Sequence, residues 1–226
     1  MASRLQRLRR KLEEFGLDAL LVSQPENRFY LSGFSGSAGY LIISQEHALI
    51  ATDFRYFEQS ERQSPDFQLV KIIGGEGAKW LHEALGITKP KRLGFESDDA
   101  SYSFYTSLKK GLAEMDSSQR PRLRSTRNLV ESLRTTKDPE ELREIEAAAA
   151  AADAALAEVV PTIEPGMTEK QVAWELEKSM RDHGADSISF DTIVASGPNG
   201  ALPHHRPSDR VIEEGEPTVI DMGAKV

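Results

Sequence analysis

The chain has 226 residues, a formal net charge of −8 and no cysteine. The acidic balance argues against non-specific nucleic-acid binding, which needs a basic surface. The lack of thiols excludes disulfides, thiolate metal sites and a cysteine nucleophile. No apolar run approaches the length of a membrane span, and the basic N-terminus leads into an amphipathic helix rather than an apolar signal region. We therefore expect a cytoplasmic protein that binds neither nucleic acid nor membrane.

The first 120 residues predict strands that alternate with helices. Ser3 caps a first helix that Gly16 ends, and the Gly/Ser-rich stretch 27–39 predicts little regular structure. The other predicted elements are a buried strand at 19–23, a hairpin of 40–43 with 48–52, helices at 53–62, 79–85 and 101–112, and strands at 67–73 and 92–95. This alternation favours an α/β domain with a mixed sheet.

A second domain is predicted from about residue 135. The basic, Pro-containing stretch 120–127 and a short helix through Leu133 end the first domain, which gives domains of 1–134 and 135–226. Asp138 and Pro139 are typical of a helix start. The apolar residues at helical spacing in the helix that follows predict its buried face: Leu142, Ile145, Ala149, Ala152, Leu156 and Val159.

A further helix begins where Thr168 and Gln171 form a capping box, and it ends at Gly184. Two such helices followed by strands predict the front half of an α+β domain. Candidate functional residues come next in the chain. His204 and His205 follow a Gly/Pro/Asn loop, and such a pair can place one imidazole in a pocket, where a neutral ring donates or accepts a proton.

Asp221 ends a short predicted strand, 218–220, and precedes Met222-Gly223-Ala224. A carboxylate at the end of a buried strand is costly unless it is paired or bound to a cation. Asp221 is therefore a candidate metal ligand or catalytic acid, and an Asp that merely caps a turn is equally compatible with the residues. One carboxylate cannot hold a divalent metal ion, because such sites use several ligands.

The chain resembles the pita-bread metallopeptidases of the Xaa-Pro aminopeptidase and prolidase group. LSGFSGSAGY (31–40) and ATDFRYFEQ (51–59) are similar to the creatinase/prolidase N-terminal domain. RTTKDPEEL (134–142) resembles the start of the catalytic domain, and SFDTIVASGPNGALPHH (189–205) with VIDMGA (219–224) resembles the loop and strand that enter the active site.

The resemblance implies a mixed-sheet α/β N-terminal domain followed by an incomplete α+β pita-bread domain. It implies a peptidase that cleaves before proline at the second position of a peptide. Family members hold two divalent metal ions, often manganese or cobalt, with two Asp, one His and two Glu, and the metals activate a bridging water. Asp221 matches the first metal Asp, and His204, from its place after residues 200–203, matches the histidine that contacts substrate or assists proton transfer.

The same resemblance implies that the other metal ligands lie beyond Val226, so that this chain is a fragment that binds metal weakly and does not hydrolyse peptides. It also implies a homodimer for the complete protein. Two alternatives stay open: a metal-free, creatinase-like amidinohydrolase, against which Asp221 counts, and a non-catalytic binding or dimerisation module built on the same fold. His205 also stays open as the active-site histidine in place of His204.

Overall fold

The computed structural model describes residues 3–75 and 77–226 of the chain. The chain divides into two compact units, unit 1 up to Thr136 and unit 2 from Lys137 to Val226. Across those described residues, none of the helices has the length and apolar character that a membrane crossing demands.

Unit 1 contains a mixed sheet, as expected, and this sheet has six strands rather than the five predicted. The strands are β1 (Ala19–Val22), β2 (Tyr40–Ser44), β3 (Ala48–Asp53), β4 (Gln68–Ile72), β5 (Arg92–Glu96) and β6 (Arg122–Thr126). Their order is β4-β3-β2-β1-β5-β6, and β2 is antiparallel to both of its neighbours while the other pairs are parallel.

Both faces of this sheet are buried by helices. The helices of unit 1 are α1 (Arg4–Glu14), α2 (Pro25–Ser32), α3 (Phe57–Gln63), α4 (Lys79–Thr88), α5 (Tyr102–Ala113) and α6 (Glu131–Arg134). Successive side chains of a strand point to opposite faces. Accordingly Leu20 of β1 joins the apolar cluster that contains Leu8 of α1, whereas Leu21 joins the cluster that contains Leu81 of α4.

The prediction of little regular structure over 27–39 was wrong for its first part, because α2 occupies Pro25–Ser32. Pro25 lies in the first turn, where its missing N–H costs nothing, and Gly33 ends the helix with φ of 74°. Buried Arg28 then holds the following loop by donating to the carbonyl oxygens of Gly39 (2.7 Å) and Gly36 (2.6 Å).

No strand was predicted within the stretch 120–127, which the sequence placed at the end of the first domain. Residues Arg122–Thr126 form the edge strand β6, which pairs in parallel with β5 from Arg92↔Arg122 to Glu96↔Thr126. The strand was missed because Arg122 and Arg124 point to solvent from an edge position, which leaves Leu123 and Thr126 as the only residues that face the core.

Unit 2 consists of two helices and four short strands. They are α7 (Pro139–Val159), α8 (Glu169–Asp182), β7 (Ser187–Ile188), β8 (Ile193–Ser196), β9 (Thr218–Asp221) and β10 (Ala224–Lys225), with β8 paired to β9 and β7 paired to β10. Both predicted helix starts are confirmed: Asp138 caps α7, and Thr168 forms a capping box with Gln171 at α8.

The predicted buried face of α7 is confirmed at Val159 and was wrong at Leu142, Ile145 and Leu156, which are exposed. The residues that are buried are Ala151, Ala155 and Val159, whereas Leu142 and Ile145 are 48% and 51% exposed. Ala151 and Ala155 lie one turn apart, and their small side chains let α7 and α8 pack closely. The larger apolar residues of α7 therefore lie on the other side of the helix.

Candidate active-site loop

The loop that carries His204 and His205 is anchored on one buried carboxylate, Glu169. Glu169 is the first residue of α8 and has no exposed surface. It accepts six hydrogen bonds, from the backbone N–H and hydroxyl of Ser196, the Asn199 amide, the His205 ring, and the backbone N–H and hydroxyl of Ser208. Its donors thus lie at the start, the middle and the end of the segment 196–208.

These donors also determine the charge state of Glu169. Burial alone would raise the pKa of its carboxyl, but the hydrogen bonds from Ser196, Asn199, His205 and Ser208 outweigh burial and hold the pKa far below its usual range. Glu169 is therefore ionised at neutral pH. A buried anion is tolerated here because every donor around it is aimed at its two oxygens.

An ion pair between Arg210 and Glu216 lies next to the hydrogen bonds of Glu169. Arg210 donates to both carboxylate oxygens of Glu216 and also, at 2.6 Å, to the hydroxyl of Ser196. The Ser196 hydroxyl in turn donates to Glu169, so the two carboxylates are linked through Arg210 and Ser196. The hydrogen bonds from Arg210 lower the pKa of Glu216.

Gly197 lies where the chain leaves β8 and passes next to this ion pair. Its φ is 49°, and a Cβ at this position would overlap the carboxylate of Glu216. Only glycine combines that backbone conformation with so close an approach. The positive φ and the closeness of the Arg210–Glu216 pair together favour glycine at this position.

The two adjacent histidines have different environments. The Nε2 atom of His205 lies 2.7 Å from Glu169, and the His205 side chain is 11% exposed. Because an ionised carboxylate only accepts, Nε2 of His205 must carry the hydrogen of this bond. His204 is exposed and is not among the partners of Glu169.

Asp221 is exposed, although the sequence predicted a carboxylate at the end of a buried strand. It pairs with Ile193 at one end of the β8–β9 ladder, whereas the loop with His204 leaves from Ser196 at the other end. Asp221 therefore lies at the end of the β8–β9 pair opposite to the end from which the loop with His204 leaves, and Asp221 is not among the partners of Glu169.

Asp221 was expected to bind a metal ion, which requires further ligand side chains close to it. Over residues 3–75 and 77–226, no three His, Cys, Asp or Glu side chains are grouped so that they could hold a metal ion. Asp221 alone does not fit a divalent ion, which needs further ligands. The described residues therefore do not make a metal site by themselves.

Glu169 was missed by the sequence reasoning, which used its neighbours Thr168 and Gln171 only as a capping box. An acid in the first turn of a helix is explained by the helix dipole, so it gives no further signal. Its partners are separated from it by 27 to 39 positions. The sequence between Ser196 and Ser208 gave no hint either, since Asn199 is its only short polar side chain.

Residues 4–136 match the family described as creatinase/prolidase N-terminal domain, and residues 143–226 match metallopeptidase family M24. An uncharacterized peptidase, YqhT, of Bacillus subtilis is 39% identical over 98% of this chain and 61% of its own length. An Xaa-Pro dipeptidase of Pyrococcus furiosus is 31% identical over 99% of this chain and 61% of its own.

The fold agrees with these matches. The solved structure of an Xaa-Pro dipeptidase from Bacillus anthracis superposes with a TM-score of 0.89 at 38% identity, over 98% of this chain and 60% of that one. The chain thus spans about three fifths of the length of the relatives it matches. The chain belongs to the family described as creatinase/prolidase N-terminal domain, and the segment that follows this domain matches metallopeptidase family M24.

Proposed function

We propose that a polypeptide containing these residues, at the length of its relatives, is a metal-dependent peptidase that hydrolyses the bond between an N-terminal residue and proline. The observation that carries the proposal is the loop 196–208, which a buried carboxylate with six donors holds in place while it leaves His204 exposed. The matches to Xaa-Pro dipeptidases support the reaction class.

In this proposal His204, rather than His205, contacts the substrate or assists proton transfer. The Nε2–H of His205 is already donated to Glu169, so that ring is held as part of the scaffold. His204 is adjacent in the chain and faces solvent, where a peptide can reach it. A neutral imidazole in such a position can hydrogen-bond a peptide carbonyl or move a proton.

Asp221 is proposed as the first ligand of a pair of divalent metal ions, manganese or cobalt. When bound, such ions would activate water and polarise the scissile carbonyl. The further ligands would come from sequence that these 226 residues do not include. We further propose a cytoplasmic homodimer as the working form, on the strength of the resemblance described above.

The test compares the 226-residue chain with a polypeptide of the relatives' length, each with Mn²⁺ and Ala-Pro or Ala-Pro-Gly as substrate. We expect hydrolysis only by the longer protein, near-complete loss of activity in Asp221→Asn, and a large loss of kcat in His204→Ala. His205→Ala is the matched control for the histidine assignment, since it should lower stability more than kcat. Hydrolysis by the 226-residue chain itself, or full activity in His204→Ala, would contradict the proposal.

A further inference from the structure

We infer that Glu169 is a positioning residue: its buried carboxylate orders the segment from Ser196 to Ser208 and thereby holds His204 in place. The inference rests on the role proposed for His204, but its geometry is independent of that role. Glu169 is the first residue of the 14-residue helix α8, so the loop is hydrogen-bonded to a residue that regular secondary structure holds in place.

The distribution of the donors is the first argument. One carboxylate oxygen, Oε1, accepts from Ser196 and Asn199 at 2.8 to 2.9 Å. The other, Oε2, accepts from His205 and Ser208 at 2.7 to 3.0 Å. The part of the loop before His204 therefore donates to one carboxylate oxygen, and the part after His204 donates to the other.

The second argument is that the contacts are directional. All six groups donate, and an ionised carboxylate is the side-chain group that accepts without donating. A glutamine at this position would present an NH₂ group to donors on one side. Glu169→Gln is nearly isosteric, so it removes the charge and the matched acceptors without leaving a cavity.

The third argument is that further contacts of the loop pass through two hydroxyls that donate to Glu169. The Ser208 hydroxyl donates to Glu169 and accepts from the backbone N–H of Arg210, and the Ser196 hydroxyl donates to Glu169 and accepts from the Arg210 side chain. Glu169→Gln replaces one of the two oxygens by NH₂, so one of these hydroxyls loses its acceptor. The backbone N–H of Lys170 still donates to the carbonyl oxygen of Ser208, so we expect the segment to become more mobile rather than to detach.

The experiment measures ¹⁵N order parameters and amide hydrogen exchange on the 226-residue chain, so it needs no catalytic activity. In the wild type we expect the His204 amide to be rigid, with an order parameter of about 0.8, and in Glu169→Gln to fall below about 0.6. The Ser196 and Ser208 amides should exchange roughly tenfold faster or more in the variant.

Lys170→Gln is the matched control. Lys170 is the next residue of the same helix, and its side chain binds the exposed Asp209 at 2.9 Å, just beyond the loop, rather than Glu169. Its backbone N–H donates to the carbonyl oxygen of Ser208, a contact that the substitution leaves in place. We expect the order parameter of His204 to be unchanged in this variant, since exposed ion pairs contribute little.

A purely stabilising role would lower the unfolding midpoint of Glu169→Gln and leave the native-state order parameter of His204 unchanged, and that result would overturn the inference. If Glu169→Gln does not fold, Ser208→Ala decides the question by the same measurements, because it removes one donor and keeps the carboxylate. A longer protein that does not hydrolyse peptides would contradict the proposed function, but it would not change the effect of Glu169→Gln on the order parameter of His204.

Discussion

The Nε2 atom of His205 lies 2.7 Å from the Oε2 atom of Glu169, a carboxylate with no exposed surface. This bond joins the start of α8 to a loop residue 36 positions further along the chain. The bond distinguishes the two adjacent histidines: the ring of His205 is hydrogen-bonded to Glu169, whereas the ring of His204 is exposed.

Unit 2 should lose stability in acid because of Glu169. Its folded-state pKa lies well below the ordinary value of 4.5, so its contribution is complete above pH 4.5 and is lost as the pH falls toward the folded-state pKa. We expect the difference in unfolding free energy between wild type and Glu169→Gln to narrow below pH 4.5, by up to about 1.4 kcal/mol per pH unit. Urea unfolding between pH 3 and 7, followed by NMR signals of unit 2, measures this difference. A difference that stays constant over this range would contradict the charge state assigned to Glu169.

Unit 1 contains a carboxylate with the opposite behaviour. Burial raises the pKa of Glu96, assisted by the nearby Glu131, and the hydrogen bonds from Gln24, Asn27 and Ser23 only partly oppose it. A raised folded-state pKa means that the contribution of Glu96 is complete below pH 4.5 and falls as the pH rises through the folded-state value.

We therefore expect the stability of wild type relative to Glu96→Gln to decrease as the pH rises above 4.5, until the folded-state carboxyl is ionised. Titration of the Glu96 carboxyl carbon by NMR checks the shift directly. A midpoint at or below 4.5 would show that the hydrogen bonds outweigh burial.

Two glycines of the active-site loop should respond differently to alanine. Gly197→Ala combines a φ of 49° with overlap of the Glu216 carboxylate, so we expect a loss of roughly 1–3 kcal/mol. Gly200 is the matched control, since its nearest contacts to an added Cβ are 3.6 Å away. Gly200→Ala should change stability by less than about 0.5 kcal/mol, and equal losses in the two variants would be inconsistent with the contact to Glu216.

Substitutions that change side-chain volume on the buried side and on the exposed side of α7 test which face of this helix is buried. Ala155 is fully buried, so Ala155→Leu should overpack the contact with α8 and cost roughly 1–3 kcal/mol. Ile145 is 51% exposed, and Ile145→Ala should change the stability of the 226-residue chain by no more than about 0.5 kcal/mol. Chemical unfolding of both variants measures the two effects. A larger loss of stability in Ile145→Ala than in Ala155→Leu would instead support the buried face predicted from the sequence.

The helix starts were predictable because their signals are local. Asp138 with Pro139, and Thr168 with Gln171, satisfy backbone groups within one turn, and the structure contains both caps. The hairpin of β2 and β3 was predictable for the same reason, since its strands adjoin in sequence.

What could not be predicted depends on distant partners. Nothing near Glu169 in the sequence shows that Ser196 or Ser208 will donate to it. The buried face of α7 is decided by how closely α8 approaches, and the alanine run fits either side of the helix. Edge strand β6 is recognisable only once β5 is in place beside it.

Arg28 holds the loop after α2 through the backbone oxygens of Gly36 and Gly39, and its guanidinium also lies over the ring of buried Phe34. The exposed serines of the loop have partners as well: the Ser35 hydroxyl bonds with Gln63, and the Ser37 hydroxyl lies 2.6 Å from that of Tyr56. A substitution at either serine therefore removes one link between the loop and residues 56–63, whereas a substitution at Arg28 releases two carbonyl oxygens and a ring contact together.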